Sequence, residues 1–302
     1  MPNSFLGSVV QQLVAQNIDW ANVCFVLPNR RARLFLQREL TQTLQGPLIL
    51  PEAASIDDLI ASMSTMLPAT ELQQQQALYK SYCTTIGLKK ADSFETFLGW
   101  SSPLMKDINT MDQYLLERES FFTYLSSLHN IRSWGENQDK IIQNYTAFWE
   151  LLPQMYQDFV SILEETGHAP PGLCYRLATA HLESYLQHKK STHFIFCGFN
   201  ALSPSEELIV QELLAQQRGQ VFWDIDQKML ENEYHQAGVF IRGYVNNWSY
   251  YANGSFDQAH QIFNAAKKVN VIEVQQQVGQ AKQLGALLAE LPTSQDWSKT
   301  AV

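Results

Sequence analysis

The chain has 302 residues, of which 45% are hydrophobic and 12% aromatic, and its formal net charge is -9. This composition excludes a disordered tail, because a chain of this length and apolar content buries a full core. The acidic balance excludes a protein that coats nucleic acid through bulk positive charge, so any DNA contact is expected to be local. No apolar run reaches membrane-span length and the N-terminus lacks signal-peptide features, so we expect a cytoplasmic protein with no membrane partner.

Metal and disulfide chemistry is not indicated. The cysteines are widely spaced and sit in apolar patterns, at Cys24, Cys83, Cys174 and Cys197. Such thiols behave as small buried hydrophobes, so the spacing predicts neither a disulfide framework nor a zinc site. The seven histidines include no His-Glu-x-x-His motif. We therefore expect no cofactor and no metal site in this chain.

The N-terminal region predicts a helix over residues 5–16 and then a strand over residues 23–27. Pro28 is expected to end the strand, and Asn29 to cap the next helix by accepting an amide proton. That helix is predicted to bury one face against a sheet, through Ala32, Phe35, Leu36 and Leu40. A short strand over residues 48–51 is expected to follow.

A capped helix is predicted to open at Ser55, and from about residue 69 the pattern becomes purely helical. This predicts an all-α subdomain, residues 69–188, inserted into an α/β core made of residues 1–68 and 189–302. Within the core, strands are predicted at residues 193–197, 220–224 and 269–274, with a capped helix from Ser203 and another helix over residues 278–291. The strand-helix alternation is typical of a parallel sheet.

Two segments far apart have the same construction, a strand that passes through a tight turn into a capped helix. They are residues 23–40 and 194–208. Nucleotide-binding parallel sheets present their strand ends in this way. However, the chain has no Gly-Lys-Ser/Thr motif for a triphosphate, and Cys197 ends the second strand, where magnesium would require an oxygen ligand. The fold class is therefore expected to be α/β, a P-loop-NTPase- or helicase-like core with a large all-α insertion, without ATPase chemistry.

The densest basic cluster, Arg30, Arg31, Arg33 and Arg38, directly follows the first strand. A capped helix with free N-terminal amides beside arginines suits a backbone phosphate. Asn29, Arg30, Arg31 and Arg33 are therefore the candidate DNA-binding residues, for single-stranded DNA bound weakly and locally. The alternative is an ordinary solvated helix face.

An acidic motif near residue 224 imitates a nuclease site. Asp224, Asp226 and Lys228 reproduce the acid-x-Lys strand of metal-dependent nucleases, in which carboxylates hold magnesium and lysine orients water. No second acid from a neighbouring strand accompanies them at a defensible spacing. We therefore expect Asp224 and Asp226 to close a strand and turn the chain.

Several segments, taken in order, suggest a family. Residues 25–31, the helical region, residues 196–206, residues 222–226 and residues 278–282 together resemble the AddB-type subunit of bacterial helicase-nucleases. The resemblance spans nearly the whole chain and is closest to members from Bacteroidetes-type bacteria, which belong to the PD-(D/E)XK nuclease superfamily.

The resemblance implies an N-terminal half built like a superfamily 1 helicase but degenerate, followed in the parent protein by a nuclease domain that carries an iron-sulfur cluster in many members. A separate AddA-like helicase subunit would supply the motor, and the pair would resect broken DNA ends. Residues 28–31 would occupy the place of a helicase motif that contacts single-stranded DNA, and residues 197–199 the place of the magnesium-binding motif.

The leading hypothesis is thus a non-catalytic domain that scaffolds DNA and a motor partner in double-strand-break repair. One alternative is a divergent nucleotide- or metal-binding hydrolase built on Asp224, Asp226 and Lys228. Another is a protein-interaction domain without DNA contact, which the acidic composition suits. Residues 300–302 look like the start of a further strand, so we expect this chain to be an N-terminal piece of a longer polypeptide.

Overall fold

The structure is a computed structural model of the chain. It describes residues 4–44, 50–124, 140–252, 256, 259–261, 263, 266 and 269–290, and within residues 140–149 it describes the backbone alone. The chain divides into two compact units, residues 1–261 and 262–302.

The first unit alternates short strands with helices. Its strands are β1 (Val23–Leu27), β2 (Glu52–Ser55), β3 (Leu67–Pro68), β4 (His168–Ala169), β5 (His193–Cys197) and β6 (Gly219–Phe222). Its α-helices are α1 (Phe5–Ala15), α2 (Arg30–Thr43), α3 (Ile56–Ser64), α4 (Glu71–Ile86), α5 (Phe94–Gln113), α6 (Lys140–Glu164), α7 (Pro171–His188), α8 (Pro204–Ala215), α9 (Gln227–Glu231) and α10 (Val239–Asn247). Residues 118–124 are also helical.

Among the described residues, four parallel strands form the central sheet in the order β2-β1-β5-β6. Val26 of β1 lies opposite Ala54 of β2 on one side and Phe196 of β5 on the other. The chain runs outward from β1 to β2, then returns to the other side of β1 and runs outward from β5 to β6. The carboxyl ends of β1 and β5 therefore form a topological switch point, where open parallel sheets bind their ligands.

Helices cover both faces of this sheet. Cys24 and Val26 face a core that includes α3, α7, α8 and α10, whereas Val23, Phe25 and Leu27 face a second core with α1 and α2. This alternation follows from the two-residue repeat of a strand. Because α2 and α8 cover opposite faces, the connections that leave β1 and β5 pass over opposite sides of the sheet, as a switch point requires.

A third core consists of helices alone. It joins α4, α5, residues 118–124 and α6, and its aromatic rings pack closely, with Phe97 4.9 Å from Trp100 and 5.3 Å from Tyr82 between ring centroids. The chain enters this region after β3 and leaves it at β4, and these two strands pair in parallel. Both ends of the helical region thus lie side by side.

The predicted α/β class with a parallel sheet is confirmed. One predicted burial is wrong: Phe35 does not face the sheet, since it is 62% exposed, whereas Leu36 and Leu40 are buried as expected. Successive residues of a helix are about 100° apart, so Phe35 and Leu36 cannot both lie at the centre of a narrow buried face.

Three predicted strands differ from the structure. The strand predicted at residues 220–224 is β6, which begins at Gly219 and ends at Phe222. Leu50 and Pro51 are not in a strand, and Leu48 and Ile49 lie outside the described residues; the strand is β2, which begins at Glu52. The sequence Glu-Ala-Ala-Ser has low strand propensity, and pairing with β1 overrides it.

The second unit is described through residues 263, 266 and 269–290. Residues 269–274, predicted as a strand, have no strand structure, because no described residue pairs with their backbone. The helix predicted after them is present as α11 (Gln276–Ala289).

Candidate nucleic-acid interface at the ends of β1 and β2

β1 passes into α2 through a turn of two residues. Pro28 follows the strand, and it has no N–H group to donate. Asn29 accepts a hydrogen bond from the amide of Ala32 at 3.1 Å, which confirms the predicted cap. A turn this short leaves no room for a glycine-rich loop that wraps a triphosphate.

A cleft of about 500 Å³ opens at this edge of the sheet. It is lined by the β1–α2 turn together with the start of α3, through Pro28, Asn29, Arg30, Arg31, Ser55 and Asp57. Three of the four predicted DNA-binding residues therefore line one cleft. The fourth, Arg33, is exposed on the first turn of the same helix. The structure thus places Asn29, Arg30 and Arg31, which are consecutive in sequence, at the ends of β1 and β2, and it leaves Arg33 outside the cleft.

Arg30 is held by an acidic partner. Its guanidinium donates to Asp58 from Nη2 at 2.6 Å and from Nε at 3.3 Å. That guanidinium, together with the Ser55 hydroxyl, lowers the pKa of Asp58 to about 2. Among the described residues, neither Arg31 nor Arg33 has an ion pair. Arg31 and Arg33 are therefore the cations that are available to a phosphate. Arg30 could bind a phosphate only while sharing its guanidinium with Asp58, or after releasing Asp58.

Replacing Arg30 with alanine is expected to raise the pKa of Asp58 toward the ordinary value for a carboxyl group. Because folding lowers this pKa, the ionised group stabilises the fold fully above a pH of about 4, and the contribution disappears as the pH falls through about 2. Carbon-13 NMR titration of the Asp58 carboxyl group measures the change. A value that stays at about 2 in the variant would contradict a leading role for Arg30.

Three amides in the loop after β5 donate hydrogen bonds within the chain. Gly198 has a φ of 75°, which suits a residue without Cβ, and its amide donates to a carbonyl of β6 at 3.1 Å. The Leu202 amide donates to the Tyr244 hydroxyl at 2.8 Å. The Ser203 amide donates to the carboxylate of Glu206 at 2.6 Å. These amides are therefore satisfied within the chain.

The carboxyl group of Glu206 occupies the N-terminus of α8. It forms a capping box with Ser203, and its side chain is buried, which raises the pKa of the carboxyl group. A phosphate bound at a helix N-terminus would require the same amides and the same position. Glu206 thus takes the place of an anion at the second strand end.

Cys197 also offers no ligand at this edge. It is 1% exposed and packs in the core between the sheet and helices α1 and α2. Burial raises the pKa of its thiol, so the side chain is neutral at ordinary pH. In the part of the chain that the structure describes, no three His, Cys, Asp or Glu side chains are grouped for a metal ion.

The acidic motif after β6 has structural contacts. The carboxylate of Asp226 caps α9 by accepting a hydrogen bond from the Lys228 amide at 3.0 Å. Oδ1 of Asp224 lies 3.6 Å from Nε2 of His260. The backbones of Asp226 and His260 form an isolated parallel bridge. β6 ends at Phe222, so the prediction that the two acids close this strand is wrong, whereas Asp226 caps the helix that follows the turn.

Neither protein-family models nor curated proteins give a significant match to this sequence. No helix among the described residues is long and apolar enough to cross a membrane.

Sequence reasoning missed the pairing of Arg30 with Asp58. The two residues are 28 positions apart, and only the pairing of β1 with β2 brings the starts of α2 and α3 together. The capping box at Ser55 is the part of this pairing that the sequence does show, because it fixes Asp58 in the first turn of α3.

Proposed function

We propose that this chain is a non-catalytic, helicase-like N-terminal domain of an AddB-like ATP-dependent nuclease subunit. In this role it scaffolds single-stranded DNA and an AddA-like motor partner during double-strand-break repair. The doubly wound parallel sheet supports the proposal, because the segments that resemble the family follow β1 and β5 at the switch point. On this proposal the sheet is a P-loop-NTPase-like core, and the helical core between β3 and β4 is an inserted subdomain.

The observation that carries the proposal is the difference in charge between helices that begin at one sheet edge. α3 has Asp57 and Asp58 in its first turn and α8 has Glu206 and Glu207, so acids compensate their positive N-terminal ends. The first turn of α2 has no acid and carries arginines instead. A polyanion is therefore favoured at α2 and disfavoured at α8.

The same contrast argues for a scaffold rather than for a nucleotide hydrolase. The amides of Gly198, Leu202 and Ser203 after β5 donate within the chain, and the turn after β1 lacks a phosphate loop. On this proposal ATP hydrolysis belongs to the motor partner, and DNA hydrolysis belongs to the nuclease domain of the parent protein.

Replacing Arg31 with glutamate is expected to weaken the binding of single-stranded DNA by about 5- to 10-fold at low salt. The slope of log affinity against log salt should fall by about 1, because one phosphate contact is lost. Fluorescence anisotropy of a labelled oligo(dT) with the full 302-residue chain measures both quantities. Lys106→Glu, on the exposed side of α5, makes the same charge change far along the sequence and is the matched control.

Arg31 is preferred to Arg30 for this test, because a substitution at Arg30 would also remove the ion-pair partner of Asp58. The DNA-binding proposal would be contradicted by an unchanged affinity in Arg31→Glu. Equal weakening in Arg31→Glu and Lys106→Glu would also contradict it, since that result reports net charge alone.

A further inference from the structure

The outer side of α2 carries a stripe of four residues, Arg31, Leu34, Phe35 and Arg38, which we call the outer stripe. Their spacing of three, four and seven residues places them on one side of a helix. Leu34 is 68% exposed and Phe35 is 62% exposed, whereas the opposite side of the helix is buried through Leu36 and Leu40.

The chemistry of the outer stripe is unusual for a solvated surface. Single exposed apolar residues are common, but here a leucine and a phenylalanine are adjacent and lie between two arginines. No ion pair joins Arg31 or Arg38 to another residue that the structure describes. The outer stripe therefore presents an aromatic ring flanked by two available positive charges.

Charge favours a polyanionic ligand. Residues 30–38 contain four of the 21 lysines and arginines of a chain whose net charge is -9, and they contain no acid. A second copy of the chain docked through the same surface would place these arginines against one another across a two-fold axis, which is electrostatically unfavourable. Nucleic acid instead supplies phosphates for the arginines and bases for the ring.

The outer stripe continues from the cleft at the strand ends. Arg31 lines the cleft and is also the first residue of the stripe. At about 1.5 Å per residue, the stripe runs for about 10 Å along α2 from Arg31 to Arg38. A strand whose phosphate binds in the cleft can therefore extend along the helix.

We propose that the outer stripe is a stacking platform for single-stranded DNA. Phe35 stacks against one base and Leu34 adds apolar contact, while Arg31 and Arg38 bind phosphates on either side. The inference rests on the proposed DNA-binding function and adds the mode of binding, through base faces as well as phosphates. Stacking on an aromatic ring is tolerant of sequence, since every base has a π-face.

The test compares an oligo(dT) with an abasic oligonucleotide of the same length, bound to the full chain and measured by anisotropy. Phe35→Ala is expected to weaken oligo(dT) binding by about 5- to 100-fold and to leave abasic binding unchanged. Phe35→Tyr, which keeps the ring, is expected to retain affinity, and Phe35→Leu, which keeps the apolar area alone, to lose it. Phe240→Ala is the control, because Phe240 is 46% exposed on α10.

The outcomes separate this inference from the proposal beneath it. If wild-type chain binds oligo(dT) and Phe35→Ala binds equally well, the stacking platform is contradicted while DNA binding stands. If wild-type chain binds neither oligonucleotide, both are contradicted. If Phe35→Leu retains full affinity, or if Phe35→Ala alters only the sedimentation coefficient, the outer stripe is a protein-docking surface and not a stacking platform.

Discussion

Replacing Asp112 with alanine is expected to lower the free energy of unfolding by about 1–3 kcal/mol, because it leaves the buried Tyr156 hydroxyl and two partly exposed guanidinium groups without their acceptor. Asp112 lies on α5 and its side chain is fully buried. Its Oδ1 accepts from Arg118 at 3.0 Å and from Arg176 at 2.7 Å. Its Oδ2 accepts from the Tyr156 hydroxyl at 2.6 Å.

These partners come from three separate segments, so one carboxylate ties the helical core to α7, which packs on the sheet. Urea denaturation followed by circular dichroism measures the change. Asp107→Ala is the matched control, because Asp107 is exposed on the same helix and should change stability by less than about 0.5 kcal/mol. A loss in Asp112→Ala no larger than that of the control would contradict a central role for the network.

Replacing Gly172 with alanine is expected to destabilise the fold by about 3 kcal/mol, at the upper end of the usual cost of overpacking. Gly172 lies at the start of α7, where an added Cβ would be 2.0 Å from the carbonyl oxygen of Asn109 and 2.6 Å from its Cα. Both atoms belong to the backbone of α5, so no side-chain rotation relieves the clash. The contact also carries a hydrogen bond of 2.8 Å from the Gly172 amide to Asn109 Oδ1, which separation of the helices would break.

Gly99→Ala is the control and has the opposite expected sign. Gly99 is exposed within α5, and no atom lies within 4 Å of a Cβ built there. Alanine at such a site should raise stability by about 0.5–1 kcal/mol through helix propensity. The thermal and urea unfolding midpoints of the two variants should therefore shift in opposite directions from the wild-type values. An unchanged or raised stability in Gly172→Ala would show that α5 and α7 are not packed this closely.

The sequence predicts most of the elements that have strong local signals. β1 is a continuous apolar run stopped by Pro28, and the capping boxes at Ser55 and Ser203 mark the starts of α3 and α8. Because helix caps and strand ends are determined by neighbouring residues, they can be read without knowledge of the fold. Asn29 is a local signal of the same kind, because it marks the start of α2 and therefore the position of the candidate site.

The features that sequence reasoning missed depend on tertiary pairing. β2 is a strand because β1 lies beside it, and residues 269–274 have strand-like composition but no described partner. The ion pair of Arg30 with Asp58 joins two helices that meet only in the folded sheet. The exposure of Phe35 follows from which side of α2 packs on the sheet, because Leu36 and Leu40 take the buried side.

We propose that the ends of β1 and β2 bind single-stranded DNA in place of a nucleotide. Backbone amide NMR of the full chain, titrated separately with oligo(dT) and with magnesium-ATP, tests it most directly. Oligo(dT) is expected to shift the amide resonances of Asn29, Arg31 and Phe35, and magnesium-ATP is expected to leave those resonances and the ones of the loop after β5 unchanged. Shifts with magnesium-ATP at those amides, together with none from oligo(dT), would contradict it.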